Sequence, residues 1–62
     1  MIDFIELNTY REGIGEHPIM VRKSNVIAIR PEKVGTTLFL NSGDMFHVKQ
    51  LYHEIKEQFK FE

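Results

Sequence analysis

The sequence predicts a mainly β member of the α+β class: a five-stranded antiparallel meander sheet, or a small barrel, closed by one C-terminal helix. Three observations lead there. Apolar and β-branched residues come in short runs separated by Gly, Pro, Asn and Ser. The link between each run and the next is short, which favours antiparallel neighbours. After Lys49 the apolar period lengthens from two to about four, the signature of an amphipathic helix.

The first run, Ile2 to Thr9, reads as a strand through Ile2, Phe4, Ile5 and Leu7. Tyr10 to Pro18 holds Gly13, Gly15 and Pro18, and reads as the longest loop of the chain. Ile19 to Arg22 resumes an extended pattern, Lys23-Ser24-Asn25 bends, and Val26 to Arg30 is a β-branched run that Pro31 ends. Pro31 to Gly35 turns into a fourth strand, Thr36 to Leu40. Asn41-Ser42-Gly43-Asp44 is the clearest hairpin signal, because Asn and Gly accept the positive φ of tight turns. Met45 to Val48 completes that hairpin. Leu51, Ile55 and Phe59 then recur every four residues and predict a helix from about Gln50 to Lys60, with no Ser, Thr or Asp to cap its start.

Size and composition narrow the function. A chain of 62 residues reads as one domain, residues 1–62. A domain this small buries only about 60% of its unfolded surface, so it needs a staple. With no cysteine, disulfides and thiolate zinc sites are out, and association with another chain is the expected remedy. A hydrophobic content of 42% and a charged content of 27% suit a folded chain. A formal net charge of −1 lacks the basic surplus of a protein that lives on phosphate contacts. No apolar run is long enough to span a membrane, and the Met1-Ile2-Asp3-Phe4 start lacks the basic residues of a signal peptide, so a cytoplasmic site is expected.

The apolar residues exceed what one sheet face can use. Alternation places Ile5, Leu7, Ile19, Val21, Ile27, Ile29, Leu38, Leu40, Phe46 and Val48 on one face, against the helix. It places Phe4, Met20, Val26, Ala28, Phe39 and Met45 on the other. Soluble monomers rarely leave such a patch facing water. The second face, Phe4, Met20, Val26, Phe39 and Met45 above all, is therefore expected to cover itself in a homodimer or to receive a protein partner. The competing arrangement is a sheet curled into a barrel, with both sets partly internal.

Catalytic chemistry finds little support. Ser24 and Ser42 lie in turns without a nucleophile-elbow context, and Asp3, Glu6 and Glu12 read as solvated charges. Gly13-Ile14-Gly15 lacks the third glycine and the helix of a dinucleotide fingerprint. His17, His47 and His53 show no zinc-binding spacing. No enzyme activity, metal or cofactor is expected. Arg22, Lys23, Arg30 and Lys33, with Tyr10 and Arg11, form a candidate basic rim for a ligand or nucleic acid. Edge protection by charged residues competes with that reading.

The stretches Asn25-Val26-Ile27-Ala28-Ile29, Gly35 to Gly43, Val48-Lys49 and the helix behind them, with Phe4-Ile5-Glu6-Leu7-Asn8 at the start, resemble small bacterial and phage proteins, and among them the flagellar FlbD/SwrD-like family. The resemblance covers most of the chain and implies a short β-meander closed by a helix, with no catalytic residues to carry over. Tyr10 to Pro18 and Gln50 depart from its pattern. In size and layout the chain is also similar to CsrA-type RNA-binding dimers, although the residues do not match. The expected function is a small regulatory binding protein that associates with itself and modulates a macromolecule. A phage-encoded inhibitor of a host or defence protein is one form of it. The alternative is RNA or nucleotide binding through the basic rim.

Overall fold

The computed structural model describes residues 3–11 and 13–59. Five strands, β1 (Phe4–Arg11), β2 (Gly15–Arg22), β3 (Val26–Pro31), β4 (Thr36–Leu40) and β5 (Met45–Val48), precede one helix, α1 (Tyr52–Phe59). All pair antiparallel in a single sheet of order β2-β1-β5-β4-β3. The expected fold class is thus the observed one. The strand order departs from the expected meander: β2 and β3, neighbours in sequence, stand at the two edges, while β1 pairs with β5 at Thr9 and Val48, so the sheet curls and its seam falls between β2 and β3. One turn of 3-10 helix, Lys23–Asn25, carries the chain from one side of that seam to the other.

Curling decides where the apolar residues go. Ile5, Leu7, Val21, Leu38, Val48 and Ile55 are buried together, with Ile19, Val26, Ile29, Leu40 and Phe59 packed around them. Ile55 is the one buried residue of α1. Most of the face expected to meet the helix therefore does so. Two neighbours in β3 are exchanged, because the register shifts between Val26 and Ala28. Val26 turns in against the core and Ile27 is left 67% exposed. An inserted residue reverses the alternation up to that point, as any bulge does.

The segment expected as a long loop is mostly strand. β1 runs on to Arg11 and β2 begins at Gly15, with an unbroken register from Phe4↔Arg22 to Arg11↔Gly15. Pro18 does not break β2, because β2 is an edge strand and an outward-facing position needs no N–H. The other proline, Pro31, ends the opposite edge strand, β3. Ile2 and Lys60, expected in the first strand and the helix, lie outside the described residues.

The closure between β1 and β5 is held by a side chain. Beyond Thr9↔Val48 the Lys49 amide donates to the Asn8 carbonyl at 2.9 Å. Gln50 then acts as a further rung: its Oε1 accepts the Asn8 amide at 3.1 Å and its Nε2 donates to Asn8 Oδ1 at 2.9 Å. The Gln50 carbonyl accepts the buried Thr36 hydroxyl at 2.8 Å. This explains a glutamine where a helix cap was expected. The helix starts two residues later, with Glu54 Oε1 reaching back to the Leu51 amide at 3.1 Å, half of a capping box. Leu51, expected in the buried stripe, stays exposed at the cap position.

Candidate functional site

Two adjoining hollows mark the surface, one of about 320 Å³ and one of about 610 Å³, and they share Ile19 and Phe46. The larger is bordered by Phe4, Met20, Val21, Arg22 and Leu40 and opens at the seam side of β2. The smaller lies between the β1–β2 hairpin and β5. Phe4 is 41%, Met20 62% and Met45 62% exposed, and all three border one hollow or the other.

The face expected for association is thus only partly assembled. Phe4, Met20 and Met45 stand on the surface as expected. Val26, turned inward by the bulge, does not join them. Phe39 is half-buried, and the Arg30 guanidinium sits 5.3 Å from the centre of its ring. Arg22 covers Phe4 in the same manner at 5.1 Å. Such cation–π contacts shield part of an aromatic face from water.

The basic rim is occupied by contacts within the chain. Arg22 Nε stands 3.9 Å from Asp3 Oδ2, which also accepts the Ser24 hydroxyl at 2.9 Å. Lys23 Nζ donates to the Gln58 carbonyl at 3.3 Å, a cation placed at the negative end of α1. Arg30 Nε donates to Glu32 Oε2 at 2.7 Å. The same carboxylate oxygen accepts the Thr37 hydroxyl at 2.7 Å, and these two bonds, Thr37 first, hold the Glu32 carboxyl below its ordinary value. Lys33 is exposed in the β3–β4 turn. Among the described residues Arg11 forms no ion pair, and it borders the smaller hollow. The structure therefore does not gather the six rim residues into one site.

Two histidines were set aside by spacing, yet the fold brings them to one place. His17 from β2 and His47 from β5 both line the smaller hollow. His47 Nε2 lies 2.6 Å from the Val34 carbonyl, which can only accept, so the ring proton sits on Nε2. Tyr10 meets the same imidazole edge to face, with ring centres 6.4 Å apart. No group of three or more His, Cys, Asp or Glu among the described residues is placed to hold a metal. No helix among them is long and apolar enough to cross a membrane. Comparison with family models, curated proteins and solved structures returned no match.

Proposed function

We propose that this chain is a small regulatory binding protein that associates with itself and modulates a protein partner through the apolar surface around Phe4, Met20 and Met45. The exposure of those three side chains beside two adjoining hollows carries the reading. Removing large apolar side chains from water contributes about 1.5–3 kcal/mol each, and a chain of this size has little other means of adding stability. The sheet edges suit a face contact better than an edge contact. Each edge strand carries one of the two prolines, and proline cannot donate to an added strand.

Phosphate binding along the rim is the weaker reading, since Arg22, Lys23 and Arg30 already serve Asp3, the end of α1 and Glu32.

The test is the solution mass by light scattering over a range of concentrations, for the natural chain and for Met20→Glu combined with Met45→Glu. Both positions are exposed, so the variant should keep its fold; Phe39, half-buried under Arg30, is a poorer probe. A dimer that the double variant dissociates, with its circular dichroism spectrum intact, is the expected result. An unchanged dimer removes this surface from the interface. A natural chain that is monomeric throughout rules out self-association.

A further inference from the structure

The inward face of the β1–β2 hairpin changes character along its length. Opposed residues share a face, and near the base of the hairpin these are Ile5 with Val21 and Leu7 with Ile19, all apolar. Further out the same face carries Thr9 opposite His17, then Arg11 opposite Gly15. A hairpin that only needed to cover a core would stay apolar inside or end sooner. This one reaches past the core and aims hydrogen-bonding and cationic groups into a hollow.

The hollow has two kinds of wall. Ile19 and Phe46 make it apolar, and Met45 and Ile14 extend that surface. Arg11, His17 and Tyr10 supply donors, and no acidic side chain among the described residues lines it. Glu16, on the neighbouring outward position, has its carboxylate held by Lys49 Nζ at 3.0 Å. At about 320 Å³ the space suits a small ligand, near the lower end of the usual range. A guanidinium with no ion pair among the described residues recognises an anion, and aromatic and apolar walls recognise a flat ring.

From this geometry we infer that the hollow between the β1–β2 hairpin and β5 is a binding site for a planar aromatic ring bearing a phosphate, of the size of a mononucleotide. Arg11 takes the phosphate, with His17 beside it. Phe46 and Ile19 pack on the ring, and the Tyr10–His47 pair closes one side. The site shares Met45 with the association surface and Ile19 and Phe46 with the larger hollow beside it, so the titration is read on protein of known solution mass.

The experiment is an amide NMR titration of the full chain with adenosine monophosphate, adenosine and inorganic phosphate in parallel. The nucleotide should bind at least roughly tenfold more tightly than either fragment, which is about what one charge-assisted hydrogen bond contributes. Shifts should concentrate at Thr9 to Ile19 and Met45 to His47. Arg11→Gln should reduce the nucleotide to the affinity of adenosine, while Lys56→Gln, the same charge removed from an exposed helix position, leaves it unchanged. If Arg11→Gln loses its dispersed spectrum, the ligand series on the natural chain decides. A nucleotide that binds no better than its fragments, or shifts centred elsewhere, overturns the assignment. A single-stranded pentanucleotide binding more tightly than the mononucleotide would assign the ring and phosphate to a strand end; equal or weaker binding would assign them to a free nucleotide.

Discussion

Replacing Gly35 by Ala tests the closure of the fold at its tightest point. Gly35 has φ +78°, and a Cβ there would collide with the Val48 backbone carbonyl. Gly43 supplies the comparison: its φ is +96°, yet nothing lies within 4 Å of an added Cβ. Both substitutions carry the left-handed penalty of about 1–2 kcal/mol, offset by about 0.4–1 kcal/mol from the stiffer unfolded chain. Gly43→Ala should thus cost about 1 kcal/mol. Gly35→Ala adds an overpacking cost of about 1–3 kcal/mol, because the obstacle is backbone and cannot swing aside. For a domain of this length the total stability is about 3–9 kcal/mol, so the second variant loses a large part of it. Urea unfolding followed by circular dichroism reads the difference. With a slope of about 1 kcal/mol per M, Gly43→Ala should lower the midpoint by about 1 M and Gly35→Ala by about 2–4 M. Equal displacements would refute the argument that close approach to Val48, and not φ alone, requires glycine at 35.

Gln50→Ala removes the side-chain rung to Asn8 and should cost about 2 kcal/mol, as a part-buried amide loses its partner. Amide exchange should quicken at Asn8 more than at Leu38, and uniform quickening would mean that Gln50 does not pin the β1–β5 closure. The folded-state pKa of Glu32 is lowered by the Thr37 and Arg30 bonds, so the stability it contributes is fully present above its ordinary value of 4.5. That stability is lost as pH falls through the lowered folded value. Glu32→Gln should therefore flatten the stability profile below about pH 4.5, and an acid limb unchanged from the natural chain would contradict it.

The elements that could be read from the chain were those specified locally. The Asn41-Ser42-Gly43-Asp44 hairpin forms as its residues demand, with the Leu40 amide bound to the Asp44 carbonyl at 2.9 Å. The Ile55 and Phe59 repeat does give a helix with Ile55 buried. The β1–β2 hairpin was obscured because Gly13, Gly15 and Pro18 are ordinary loop residues until one knows that β2 lies at an edge. The candidate site was only partly legible. Phe4, Met20 and Met45 could be read from alternation, whereas Val26 could not, since a bulge leaves no mark in residue types. Arg11 and His17 carried a signal that was available: they continue the inward-facing series of Ile5, Leu7, Ile19 and Val21.

The sequence by itself determined five strands, the antiparallel pairing of β3 with β4 and of β4 with β5 across short turns, and a helix behind them, because these rest on contacts between residues close in the chain. Only the tertiary structure decided the rest. The pairing of Thr9 with Val48, the Gln50 rung to Asn8 and the placing of His17 and His47 on one hollow bring together residues about 30 to 40 positions apart. No local pattern encodes such contacts. They follow from how the curled sheet closes once its apolar side has found the helix.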